Sequence, residues 1–386
     1  MAKIDKNVYL LGIVSFLTDV SSEMIFAVFS IFFTVVLGAS TVLLGLIEGL
    51  ADFAASSLDY ISGVISDRTG KRRLPAAIGY GFSTLAKIML VFANSAVLAS
   101  IFRVTERLGK SFRGPPRDAW LSSLTTDANR GLSFGVHKAF DKAGAVIGPF
   151  IAYFLLRALG QSMGTFKLLF LIALVPAAAS VIFLLFVKEK PEKKEKRENI
   201  FTAYRNLSSG YKHFLKTAGI FSLAYFSFGF LLLKAYIVGF AIEEVVLLYA
   251  LFNVAFVIFA APLGRLGDRI GRKKLIVIEY AIYILMSIGF IFASTKMAVI
   301  VLFVIFGIFY SIDESQSKVY IADLEKTKRG TAVGLYNFFT GLIYLPASLI
   351  AGWLWKINPN YAFIFAGVVA LGALAYFVKP RFELSG

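Results

Sequence analysis

Gly63 to Arg73 reads GVISDRTGKRR, and Gly264 to Lys274 reads GRLGDRIGRKK. Both fit G-x-x-x-D-R-x-G followed by three Lys or Arg, roughly 200 residues apart. Each follows the second long apolar run of its half of the chain. A match in both spacing and position marks a duplicated unit.

Outward from these loops, runs of about twenty apolar residues recur, the length a helix needs to cross a bilayer. Twelve are legible, at 8–37, 41–62, 74–93, 96–117, 131–156, 165–187, 214–240, 244–264, 275–294, 297–319, 331–354 and 361–379. With 386 residues, 58% hydrophobic and 17% charged, 39 Phe and a mean hydropathy of +0.75, the chain reads as a polytopic membrane protein. The first run follows MAKIDKNVYLLG without a small-residue cleavage site, so it reads as a span and not as a removable signal.

The net charge of +16 sits in short loops. Segments 67–73, 188–198, 265–274 and 325–330 hold 18 Lys and Arg, against three in the loops of the opposite face. The positive-inside rule then predicts a multi-pass protein of the plasma membrane with both termini in the cytoplasm. No soluble basic domain is left to bind nucleic acid. The polar stretch VKEKPEKKEKRENIFTAYRNLSSGYKH divides the chain into a six-span bundle over 1–187, a cytoplasmic linker over 188–212 and a second six-span bundle over 213–386. The expected partners are the lipid bilayer, a small-molecule solute and protons, and the expected state is a monomer.

The fourth run, AVLASIFRVTERLGKSFRGPPRD (Ala96 to Asp118), is the odd one. At 100° per residue Arg103, Arg107, Lys110, Gly114 and Arg117 share a sector about 80° wide, flanked by Glu106 and Arg113. A helix rise of 1.5 Å puts Arg103 about 10 Å and Arg107 about 16 Å below the outer end of this span. Arg113 and Arg117 are near enough to the inner interface to snorkel. The deeper Arg103, Arg107 and Lys110 must meet carboxylates, a substrate or both, because insertion of a charge into hydrocarbon costs roughly 2.5–3.5 kcal/mol.

Twelve spans in two halves, with this loop in each, resemble the major facilitator superfamily of secondary transporters over essentially the whole chain. The likeness is carried by Gly63, Asp67, Arg68, Gly70, Lys71 and Arg72, and again by Gly264, Asp268, Arg269, Gly271, Arg272 and Lys273. It implies twelve transmembrane helices in two pseudo-symmetric bundles, alternating access, and a conformational latch in these loops. Arg103 occupies the arginine of the family's R-x-x-Q-G-x-G pattern, with Glu106 in place of the Gln and Arg107 in place of the first Gly. Gly144, Gly148 and Pro149 resemble the G-x-x-x-G-P motif of antiporters, which as small-x-x-x-small spacing also suits plain helix packing. The family arrangement puts spans one, four, seven and ten around a central cavity, so Asp19 and Glu23 would face Arg103 and Arg107.

Other acids and bases lie in spans: Glu48, Asp52 and Asp59 in span two, Lys87 in span three, and His137, Lys138, Asp141 and Lys142 in span five. Lys234, Glu279, Asp313, Glu314 and Lys318 follow in the second half. The expectation is a secondary transporter for a polar or anionic solute held by Arg103, Arg107 and Lys110, with Lys138 and Lys142. A buried carboxylate among Asp19, Glu23 and Asp141 would carry the coupling proton. Proton-linked multidrug efflux is the alternative within transport. A divalent cation on Asp19, Glu23, Glu48 and Asp52 would lack a nearby His. A non-transporting sensor or scaffold on the same fold is the alternative of another class.

Enzyme chemistry finds no support. Gly109-Lys110-Ser111 ends like a phosphate-binding loop, yet position 104 is Val and the segment reads as helix. With no Cys and two isolated His, no metal or cofactor site is expected.

Overall fold

The computed structural model describes residues 4–126, 129–189, 204–326 and 329–379, without the side chain of Asp67. Most of the linker read from the sequence (190–203) and the Asp of the first loop therefore lie outside the described residues. Among the described residues there is no strand. The helices are α1 (Lys6–Ile31, continued by a π-helical turn Phe32–Val36), α2 (Thr41–Thr69), α3 (Arg73–Val91), α4 (Ala96–Ser123), α5 (Arg130–Leu159) and α6 (Met163–Leu184). The second half holds α7a (Ser209–Ala224) and α7b (Gly229–Val238), α8 (Ile242–Ile270), α9 (Arg272–Phe292), α10 (Lys296–Leu324), α11 (Arg329–Ile357) and α12 (Pro359–Val378).

Local chemistry sets the ends. Side-chain oxygens of Asp5, Ser40, Ser95, Ser162, Ser208 and Thr295 accept from the first-turn N–H groups, which the helix itself cannot satisfy. Gly70 and Gly271, the glycines of D-R-x-G in the two repeated loops, take φ of 66° and 90° and stop α2 and α8. A side chain would strain the backbone there, so the glycine of the D-R-x-G signature is a turn requirement. At Gly264, by contrast, an added Cβ would meet nothing within 4 Å, so close packing does not explain that glycine.

Eleven stretches are long and apolar enough to cross a bilayer, with α7a and α7b forming one of them. The twelfth helix, α4, falls short because its basic stripe adds charge and lowers its hydropathy. The contacts repeat between halves. In the first, α1 packs on α5 and α6, α2 on α4, and α3 on α4 and α6; in the second, α7a packs on α11 and α12, α8 on α10, and α9 on α10 and α12. The two largest seams between the bundles obey the same exchange, α2 on α11 and α8 on α5, and α1 also touches α7b and α8.

The α2–α11 seam is tight from the Gly38 end to its middle, where a Cβ at Gly341 would overlap the Ser56 side chain. A Cβ at Gly352 would lie 2.5 Å from the Thr41 carbonyl oxygen, and one at Gly49 would lie 2.9 Å from the Leu345 Cα. Thr41 also donates its hydroxyl to the Gly352 carbonyl at 3.2 Å. Toward the repeated loops a Cβ at Gly334 or Gly330 would meet nothing within 4 Å. The molecule is thus closed at the Gly38 end, whereas neither α4 nor α10 packs its backbone on a helix of the other bundle, which leaves the loop end splayed.

Candidate functional site

The basic stripe of α4 lines a narrow opening between α1 and α4. Its walls are Ser22, Glu23, Ile25, Phe26 and Phe29 from α1, Lys87 from α3, and Phe102, Arg103, Glu106, Arg107 and Lys110 from α4. In this state it admits little more than water. The structure therefore brings Arg103, Arg107, Lys110 and Glu23 together.

Two of the three deep cations are already neutralised. Arg103 donates Nε and Nη2 to the two oxygens of Glu48 at 2.6 and 2.7 Å, with both side chains about 5% exposed or less. Its guanidinium also lies 3.5 Å from Glu106 and 4.8 Å from the ring centre of Phe26. Arg107 donates Nε and Nη2 to a single oxygen of Asp52 at 3.0 and 2.6 Å, and this pair is more open, 29% and 23% exposed. A two-point guanidinium–carboxylate bond offsets the desolvation of both charges when the geometry is good. The pairing follows one register: α2 and α4 run side by side, and Glu48 faces Arg103, Asp52 faces Arg107 and Asp59 approaches Gly114, always 55 residues on. Lys110, half-buried, has no hydrogen bond or ion pair among the described residues.

The opening touches the other bundle through hydroxyls. Helix seven breaks over 225–228, where Tyr225 turns extended and Tyr283 donates to the freed Ala224 carbonyl at 2.6 Å. In the break Ser227 donates its hydroxyl to Glu48 at 3.1 Å, on the carboxylate that holds Arg103. Tyr249 of α8 donates its hydroxyl to Glu23. Lys87, fully buried, donates to Ser22 at 3.0 Å. No sequence signal marks the break, since Tyr-Phe-Ser-Phe-Gly reads as one more apolar run. The Glu48 and Asp52 pairing did leave a signal, the same four-residue spacing as Arg103 and Arg107.

Other expected site residues lie elsewhere. Lys138 donates to Glu314 of α10 at 3.0 Å, and Lys142 lies 3.8 Å from the same carboxylate and 3.9 Å above the ring of Phe256. Neither reaches the stripe; both bridge the bundles. Asp19 is half-buried on α1, and Asp141 is buried with one oxygen lacking a donor. Gly144 and Gly148 form a packing seam: a Cβ at either would come 2.5 Å from the Phe16 or 2.6 Å from the Val20 carbonyl oxygen. Pro149 is buried beside it within α5.

The repeated loops bond within their own bundles. Arg72 donates Nη1 to Ser66 at 2.8 Å, and its backbone N–H reaches Glu189. Arg272 contacts Asp268 at 2.8 Å and Asp323 at 3.4 Å, while Lys273 lies 5.7 Å from the Phe377 ring centre. Arg68, Lys71 and Arg269 are exposed, and Gly63 is buried. Glu48 and Asp52, spent on arginines, are not free for a cation. No group of three or more acids or histidines poised to hold a metal occurs among the described residues.

Two exchange-related helical bundles around a charged opening define a multi-pass membrane transporter. A family model described as Major Facilitator Superfamily matches residues 11–245 and 232–386, and the chain belongs to that superfamily, a family of transporters and not of enzymes. It is 37% identical to an uncharacterized MFS-type transporter of Methanocaldococcus jannaschii, over 97% of this chain and 96% of that one. It is 25% identical to Multidrug resistance protein 1 of Bacillus subtilis, over 81% of this chain and 80% of that one. In fold it is similar to the crystal structure of the nucleoside transporter NupG, with a TM-score of 0.79 at 15% identity over 97% of this chain and 100% of that one.

Proposed function

We propose that the chain moves a small polar or anionic organic solute across the plasma membrane by alternating access, coupled to protons, as a monomer with both termini in the cytoplasm. Residues 1–187 and 213–386 are the two rocking bodies, joined by 188–212. The observation that carries this reading is Lys110, an unpaired ammonium beside the half-open Arg107–Asp52 pair in a site splayed toward one face. A solute carboxylate or phosphate would take Lys110 and draw Arg107 from Asp52. Arg103, sealed on Glu48 and tied to Ser227, would couple the site to the other bundle. Asp19, Glu23 and Asp141 remain the proton carriers of the first bundle, and Lys138 and Lys142 act through Glu314. The loops 63–72 and 264–273, with Gly63 and Gly264 included, serve as the latch.

The test is a thermal-shift screen of purified protein against sugar phosphates, carboxylates, drugs and metal salts, since a ligand that binds only the folded state raises its melting point. Flux of the hit in proteoliposomes then should collapse in Lys110→Gln. Stabilisation by cationic drugs alone would reject the anionic reading.

Drug efflux is the second reading. The Bacillus relative favours it, as does the aromatic wall of Phe26, Phe228, Tyr249 and Phe252 opposite the acids of α1. A resistance assay in a sensitised host, with Asp19→Asn as control, separates the two.

A further inference from the structure

Glu279 of α9 is fully buried, and neither of its carboxyl oxygens has a donor if all acids are ionised. An unpaired carboxylate in a protein interior within the membrane is costly enough that such groups are normally paired or neutral. Asp313 of α10 lies within hydrogen-bonding reach of it. Two carboxylates cannot bond to each other, because each only accepts. With one proton between them, one becomes a donor and one of the two Glu279 oxygens is paired.

We propose that Glu279 and Asp313 form an acid pair sharing one proton, a second proton-binding site located in the C-terminal bundle. It is separate from the α1–α4 opening and from Asp19, Glu23 and Asp141. Two like acids in one site hold a proton between them because both cannot ionise at close range. The surrounding groups agree with a proton and not a larger cation. Tyr280 and Tyr336 lie near Glu279, and Glu314, the cationic Lys318, Tyr225, Tyr283, Tyr310 and Tyr344 lie near Asp313. Lys318 would repel a metal ion, and no third acid closes on Glu279. Access is one-sided: Glu279 is sealed, whereas Asp313 is half-buried and gives the pair its contact with water. Protons therefore enter and leave through Asp313, and Glu279 stores them. Only the role of the pair in a transport cycle rests on the transporter reading; the shared proton does not.

Infrared spectroscopy of the full chain in lipid nanodiscs at neutral pH tests this without a solute. The expected result is a protonated-carboxyl stretch that shifts in heavy water and disappears in Glu279→Gln, whose amide can donate to Asp313 without a proton. Titration with an indicator dye should count one proton fewer per molecule in that variant. If Glu279→Gln fails to fold, Asp313→Asn changes the donor to Glu279 and must shift or remove the band. Absence of any such band in the unmodified protein, or a band unchanged in a folded variant, overturns the proposal. Loss of the band together with unaltered flux of a screened solute would retain the site and remove it from the cycle.

Discussion

Glu48 holds Arg103 by both oxygens, 2.6 and 2.7 Å from the guanidinium, and one of those oxygens also accepts from Ser227 across the bundle interface at 3.1 Å. A charge that is buried for pairing thereby becomes a joint between the two halves. The arginine is fixed by its carboxylate, and the carboxylate feels whether the break in helix seven is near.

Removing one partner leaves the other buried and uncompensated. Glu48→Gln should lower stability by about 3–5 kcal/mol, whereas the double variant with Arg103→Gln should recover much of the loss. Thermal melts of the purified single and double variants check this. Equal melting points for all three would mean that the pair is not desolvated as described.

The Asp52–Arg107 pair is a contrast with built-in control value. It is about a quarter exposed, so Asp52→Asn should cost no more than about 1 kcal/mol. The same melts read it, and a loss as large as that of Glu48→Gln would contradict the difference in exposure.

Tyr249 closes the Gly38 end through its hydroxyl on Glu23. Tyr249→Phe keeps the ring and deletes that bond, so the population should shift toward the state open at that end. The chain has no cysteine, so a single Ser348→Cys reports directly. Ser348 is buried in the α2–α11 seam, and its labelling should accelerate several-fold, the shift expected from losing roughly 1 kcal/mol of hydrogen bonding. An unchanged rate would remove Tyr249 from the closure.

The seam of α5 on α1 allows no side chain. Gly144→Ala and Gly148→Ala each push a methyl to within about 2.6 Å of a carbonyl oxygen, which should cost about 1–3 kcal/mol of stability by overpacking. Wild-type melting points would show that the helices can part without loss.

The spans were legible because hydrocarbon leaves the backbone no partner but its own helix, so about twenty apolar residues read as one crossing. The repeated D-R-x-G turn was legible for a similar reason, since Gly70 and Gly271 need positive φ. What escaped depends on tertiary contacts. Tyr225 to Phe228 keeps its apolar composition while losing its helix, held by Tyr283 and Glu48 from other elements and by the Gly229 N–H on the Ser227 hydroxyl. Charge alone points Lys138 and Lys142 toward a solute, and the structure adds Glu314 as their partner. Glu314 lies in the other half of the chain, and nothing in local spacing points to it.

The central claim is that water and solute reach the deep basic stripe from the splayed face. Lys110→Cys, the only thiol in the chain, can be exposed to a membrane-impermeant thiol reagent on either side of sealed vesicles. The account predicts modification from the side of the repeated loops, slower than at an exposed Lys326→Cys control but well above the rate from the opposite side. No modification from either side would contradict it.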